Sequence, residues 1–370
     1  MTVLRVDTIA GIGSTGAGTV LDGSYSFTSQ NYVILPKGTT DDRVGLGSTA
    51  GGLRYNTDSN KVELWDGSQW VEVQSSRPDL NGGARGVFGG GITPTIINTI
   101  EYITISSTGN AIDFGDLSSG KRQPAGCASN TRGIFAGGNN PVVTNTIDYV
   151  TISSTGNATS FGSLTVARSA IGACSNSTRG IFAGGYTPTL TNTIDYITIA
   201  SSGVNAQDFG DLSAPKWDAI SCSSSTRGIF STGATPTLTN TIEFITISTL
   251  GNVADFGDST QSRQGSSACS SSTRGLFGGG YNPAALNTID YIIIATLGNA
   301  QDFGDLTQTR AAPAACSSSN RGVFGGGYAP TNVNTIDYVT VMNTGNAVDF
   351  GDLTQSKHRL TACSNAHGGL

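Results

Sequence analysis

From residue 85 onward, apolar and polar positions fall into short alternating runs separated by Gly, Asn, Pro and Thr. The clearest run is NTIDYITI at 192–199, with relatives NTIEYITI at 98–105 and NTIDYVTV at 334–341. Alternation of this kind, rich in β-branched side chains, predicts a pleated strand. A second run, RGIFAGG, occurs at 132–138 and again at 179–185, with near copies at 85, 227, 274 and 321. Its arginines, Arg85, Arg132, Arg179, Arg227, Arg274 and Arg321, are spaced by 47, 47, 48, 47 and 47 residues. The single 48 comes from Val204, an extra residue in SSGVNAQDFG. A period between about 40 and 50 residues indicates propeller blades or helical arrays. No copy carries an apolar pattern of helical period, which leaves the blades.

Each copy predicts four strands. The first centres on Cys127, Cys174, Cys222, Cys269, Cys316 or Cys363, and the second is the Arg-Gly-Ile-Phe run. The third is the NTIDYIT run, and the fourth carries Phe114, Phe161, Phe209, Phe256, Phe303 or Phe350. Upstream of Arg85, Leu80 stands where the cysteine would be, while TACS at 361–364 has no local partner. The expected fold is therefore all-β, a six-bladed ring closed by the C-terminal strand, which completes the blade begun at 85–117 and removes exposed edges. The Gly-Gly doublet is expected where a side chain would collide with a neighbouring strand or ring. The predicted division is an N-terminal module at 1–76, a linker at 77–84 and the propeller at 85–370.

Composition narrows the function. The formal net charge is −6, only 20 residues are basic, and no Lys/Arg block exists, so nucleic acid is not an expected partner. No apolar run is long enough to span a membrane, and no insertion is expected. The start of the chain lacks the signature of a signal peptide, so export by the secretory route is not expected. Both histidines, His358 and His367, fall near the end of the chain, which leaves no metal ligand set. No Gly-rich phosphate loop is present. No cofactor and no catalytic residues are expected. The six cysteines read as small apolar thiols on the innermost strands.

The Arg-Gly-x-Phe-x-Gly-Gly run, the NTIDYIT strand and the short aromatic strand that follows resemble the kelch repeat, whose units form β-propellers. Phe stands where kelch units usually carry Trp in the fourth strand. The segment GGLRYNTDSNKVELWDGSQWVEV at 51–73 is similar to modules of phage tail fibres and related virion proteins. The kelch-like copies with GNAxDFGDL resemble those of marine phages infecting cyanobacteria. The resemblance implies a non-enzymatic virion structural protein, exposed on the particle after assembly in the host cytoplasm. Its N-terminal module would attach to other virion proteins and form a homotrimer, and its propeller would contact a host-surface receptor, glycan or protein. The alternatives are a capsid, neck or baseplate connector and, in another class, a glycan-degrading enzyme.

Candidate contact residues follow from the loops. Tyr186, Tyr281 and Tyr328 follow the glycine doublet in three copies only, and Trp217 and His358 occupy the same loop in different blades. Loops on a rigid scaffold concentrate binding, and aromatic rings suit sugar faces. Lys121, Arg168, Lys216, Arg263, Arg310 and Lys357 recur seven residues after each Phe. They read either as a cationic crown for anionic glycans or as internal partners of the Asp two residues after the Phe. The third-strand acids, Glu101, Asp148, Asp195, Glu243, Asp290 and Asp337, repeat with the blade and read as structural, pairing with the strand arginines or capping turns. Tyr55, Trp65 and Trp70 are the candidate attachment and oligomerisation residues, since the module around them is too small for a core of its own.

Overall fold

Each copy of the repeat folds as a four-stranded antiparallel sheet, and no helix occurs among the described residues. The computed structural model describes residues 35–43, 50–58, 61–72 and 84–370. The first 34 residues, Leu80 and the expected linker up to residue 83 lie outside the described residues. The chain divides into two units, Met1–Arg77 and Pro78–Leu370.

In the second unit, sheet I joins Thr361–Ser364 to Arg85–Gly89, Thr99–Thr104 and Ile112–Asp116. The C-terminal strand thus pairs with the first Arg-Gly strand, Cys363 opposite Val87. Sheets II to VI are built from consecutive strands and span 125–163, 172–211, 220–258, 267–305 and 314–352. The first strands neighbour one another in the order I to VI, and VI returns to I. Asn365 supplies sheet I with a contact that the other sheets make locally. In the other copies Ser129, Asn176, Ser224, Ser271 or Ser318 accepts the amide hydrogen of the strand arginine three residues on. Asn365 does the same for Arg85 at 2.9 Å, from the other end of the sequence.

The cores lie between sheets, one at each junction. One joins Ile134, Ile147 and Phe161 of sheet II to Phe182 and Ile197 of sheet III, and the remaining five repeat it. No sheet holds a core alone, as expected where repeats bury their faces on each other. Phe161 reaches its core through a bulge: the register passes from Ile147–Gly162 to Asp148–Ser160 and skips the phenylalanine. The glycine of the Arg-Gly strand is required by close approach. A Cβ on Gly180 would lie 2.9 Å from Cys127 Sγ of the preceding sheet. All six cysteines are buried and unpaired in this way. Of the two expected neighbours, strand or ring, the doublet meets neither ring nor strand but loop backbone: a Cβ on Gly137, at φ +63°, would lie 2.5 Å from the carbonyl oxygen of Arg168. Aromatic rings instead cover the residue before the doublet, as Phe135 covers Gly89.

The six repeated cations are the main correction to the sequence reading. Lys121, Arg168, Lys216, Arg263, Arg310 and Lys357 are buried, none more than 1% exposed. Each leaves the loop after one sheet and pairs with the third-strand acid of the next. The partners are Asp148, Asp195, Glu243, Asp290, Asp337 and Glu101, the last closing back on sheet I. The Asp two residues after the Phe is not the partner. A loop hydroxyl also donates to most of these acids, Thr260 to Asp290 at 2.7 Å for example. Burial pushes the Arg263 guanidinium down and the Asp290 carboxyl up, so the pair exists against a desolvation cost. The strand arginines do not take the acids either. Arg132 lies 4.6 Å from the Tyr149 ring centre and donates to the carbonyl of Ile199 in the next sheet at 3.0 Å.

In the first unit, Lys37–Gly38 runs parallel to Leu53–Asn56, followed by antiparallel Lys61–Trp65 and Trp70–Glu72. The three strands expected in 51–73 are present. Trp65 is buried here against Trp70, with ring centres 5.6 Å apart, while Tyr55 and Trp70 are half-buried. Much of the apolar surface expected to serve oligomerisation is thus covered within the sheet.

Two measurements check these packing assignments. Asp290→Ala strands a buried guanidinium and should cost about 3–5 kcal/mol in urea unfolding, and adding Arg263→Met should recover most of it. Gly180→Ala should cost about 1–3 kcal/mol by overpacking, and Cys127→Ala should reduce that cost in a double-mutant cycle.

Candidate functional site

The loops between second and third strands, and those between consecutive sheets, meet on one face. The buried cations place them there. The second glycine of each doublet donates its N–H to the backbone carbonyl of the cation that leaves the same sheet: Gly138 to Arg168, Gly185 to Lys216, Gly280 to Arg310. The next residue forms an isolated bridge with the residue after the preceding cation. Six such pairs result: Ile92–His358, Asn139–Arg122, Tyr186–Ser169, Ala234–Trp217, Tyr281–Gln264 and Tyr328–Ala311.

In most of these pairs a large side chain faces a smaller one. Tyr186, Tyr281 and Tyr328 are 45%, 44% and 46% exposed. Trp217 and His358 are half-buried. The Tyr328 and His358 rings lie 5.6 Å apart, and burial together with Arg359 holds the His358 imidazole below its ordinary range. The structure therefore brings the five aromatic candidates onto one face, and Arg122 joins them through Asn139. It removes the six cations from that face. Sheet IV departs from the rule, since Thr232 takes the place of the first glycine at φ +54° and a small hairpin, Ala234–Thr235 with Thr237–Leu238, follows.

Inside this ring of loops lies a cavity of about 130 Å³ lined by all six first strands. Its rim is made of six residues in left-handed conformation, two after each cation: Gln123, Ala170, Asp218, Gly265, Ala312 and Arg359. Their backbones link across the sheets, with Gln123 N–H donating to Arg359 O, Ala170 to Gln123 O and Asp218 to Ala170 O. Gln123 Nε2 also donates to Asp218 Oδ1 at 3.0 Å. Burial raises the Asp218 carboxyl to about 6, against the opposing effects of Arg359 and of this hydrogen bond. Gln123, Asp218 and Arg359 were not anticipated from the sequence. The signal is a polar residue where other copies carry Ala or Gly.

At the other end of the first strands a smaller cavity, of about 50 Å³, is bounded by His367. Ser223, Ser270, Ser317 and Ser364 each donate a hydroxyl to the carbonyl of the matching residue in the preceding sheet. Ser175 donates to the carbonyl of Ala128, which breaks the series. His367 Nε2 lies 2.9 Å from that carbonyl, and Gly369 N–H donates to His367 Nδ1, which fixes the proton on Nε2. Gly368 N–H donates to Ser270 O. Around this end the cysteine thiols are strongly acid-weakened, with burial pushing Cys174, Cys269 and Cys363 up to about 12. They are packing groups rather than nucleophiles. No group of three His, Cys, Asp or Glu side chains able to hold a metal occurs among the described residues.

Neither any protein-family model nor any curated protein matches the chain. The functional reading therefore rests on the residues themselves.

Asp218 yields a pH prediction. Its folded-state proton is held more tightly than in the unfolded chain, so stability is lost as pH rises from about 4 through 6. Asp218→Asn should be more stable than the parent at about pH 7.5, by on the order of 1–2 kcal/mol, and equal to it near pH 3.5. Urea midpoints measured across that range check it.

Proposed function

We propose that the chain is a non-enzymatic phage virion protein, a tail fibre of the marine cyanophage type. Residues 85–370 form a six-bladed kelch-like β-propeller closed by the C-terminal strand. The N-terminal module attaches it to other virion proteins as a homotrimer, and the propeller contacts host-surface glycans. The observation that carries the receptor reading is the gathering of Tyr186, Trp217, Tyr281, Tyr328 and His358 on one face around a depression. These are positions at which the copies differ in side-chain chemistry, and the tyrosines are half-exposed. Half-exposed rings bind sugar faces weakly. Several copies on one particle convert weak sites into firm adhesion, with avidity gains of about 10²–10⁴.

The test uses the purified full chain on a panel of marine cyanobacterial cells, with immunogold labelling of particles. Saturable adhesion to a host strain, falling about tenfold or more in Tyr186→Ala/Tyr281→Ala/Tyr328→Ala at unchanged melting temperature, supports the receptor role. Gold confined to capsid or neck, with no adhesion, replaces it with the connector role. Release of soluble oligosaccharide from the cells replaces it with glycan degradation.

A further inference from the structure

The six-sheet repeat supplies its own control for the central cavity. At the rim, Ala170, Gly265 and Ala312 show that the left-handed position needs no functional group. Gln123, Asp218 and Arg359 carry one in the other three sheets. One layer deeper, the matching residues of the first strands are Gly126, Ala173, Ser221, Ala268, Ala315 and Ala362. Ser221 alone brings a hydroxyl, and its Oγ is buried with no hydrogen-bond partner among the described residues. A buried orphan hydroxyl is costly unless something bonds it. Gln123, Asp218, Arg359 and Ser221 thus line one cavity, whose lining also carries the hydroxyl residues Ser266, Ser267 and Thr361, the Ser267 Oγ likewise without a partner, among mostly small apolar residues.

Their chemistry selects a ligand class. Asp218 and Arg359 are the charged residues among those lining the cavity, and they oppose each other. An anion would gain Arg359 and meet Asp218, and a cation would meet the reverse. A neutral polyol suits both. One hydroxyl can donate to the Asp218 oxygen that Gln123 leaves free, and a neighbouring oxygen can accept from Arg359, whose side chain makes no hydrogen bond among the described residues. Gln123 and Ser221 are placed for further hydroxyls, and alanine methyls can pack against ring C–H groups. An engineered cavity of about 150 Å³ takes up benzene, so a bulkier pyranose would seat one edge in the space of about 130 Å³ found here and leave the other toward the loops. The tail at Gly368 and Gly369 occupies the far end, so a ligand enters from the aromatic face.

We infer that the central cavity binds one neutral pyranose unit, the terminal sugar of the glycan engaged by the aromatic face, an inference that rests on the glycan-binding reading. Arg359, Asp218, Gln123 and Ser221 hold its hydroxyls, and no bond is made or broken.

The test is saturation-transfer NMR on the full chain with glucose, galactose and mannose separately, and with glucuronate as the acidic control. At least one neutral hexose should bind saturably with Kd of about 1–10 mM, the range a ligand of that size reaches. Glucuronate should not bind at that concentration. Arg359→Ala and Ser221→Ala reproduce residues that other sheets already carry at the same places, so both should fold. Arg359→Ala should weaken binding about tenfold or more, and Ser221→Ala several-fold. No saturable signal from any of the three hexoses at about 50 mM, preference for glucuronate, or binding undiminished in Arg359→Ala each overturns the inference. Hexose binding that survives Arg359→Ala while cell adhesion is lost in the tyrosine triple variant sinks the cavity and spares the receptor reading. Hexose binding lost in Arg359→Ala, in a protein that adheres to no cell, upholds the cavity and removes the receptor reading.

Discussion

The buried ion pair between consecutive sheets is the constraint on which the rest of the second unit depends. Apolar faces hold sheets together but set their relative position weakly, because the hydrophobic effect has no direction. A charge taken out of water does set it. A slip at one junction would leave a guanidinium or carboxylate buried alone, at a cost of several kcal/mol, whereas the formed pair gains little over an apolar replacement. Its contribution is therefore to uniqueness more than to stability. Side-chain lengths are matched accordingly. Glu243 and Glu101 face lysines, and Asp195, Asp290 and Asp337 face arginines. Lys121 with Asp148 is the short combination; its ammonium also donates to Thr146, as that of Lys216 does to Thr241.

The same residues connect the packing to the exposed face. A cation that bonds forward through its side chain bonds sideways through its carbonyl, to the second glycine of the doublet. The residue after that glycine is Tyr186, Tyr281 or Tyr328 in three sheets. The residue two after the cation is the cavity rim. Position of the rings and position of the rim are thus both inherited from one buried contact, a few bonds away. Preorganisation follows, since a ligand has little loop entropy to remove when the loops are tied to a buried charge.

Most of the strand pattern was legible because it rests on local, repeated signals: alternation, the Arg-Gly strand, and a cysteine strand left over at one end. The pairing of Thr361–Ser364 with Arg85–Gly89 follows from counting strands alone. The fate of the cations was not legible locally. A Lys in SSGKRQ looks solvated, and what buries it is an acid in another sheet. A signal did exist in the numbers, because cation and acid are separated by 27 residues at Lys121, Lys216, Arg263 and Arg310 alike. The aromatic candidates were found by asking where copies differ. The rim residues escaped because an Asp, a Gln and an Arg in Gly- and Ala-rich turns read as side chains facing water, and only three-dimensional convergence distinguishes them.

That convergence has a thermodynamic side. A non-glycine residue held at φ near +50° costs on the order of 1 kcal/mol, and Gly265 shows that the fold accepts the unstrained solution. Asp218 adds a second cost, because its carboxyl is held where ionisation is disfavoured. Ser221 adds a third, an unbonded buried hydroxyl one layer below. The left-handed strain is shared by Ala170 and Ala312 and marks no special residue, but packing accounts for neither of the other two costs, since neighbouring sheets do without them at the same positions. Costs of this kind, gathered on one cavity and absent from its symmetry equivalents, are offset when the unsatisfied groups meet a partner. A scaffold of six sheets whose junctions are already specified by buried charge has the rigidity to hold such groups in place.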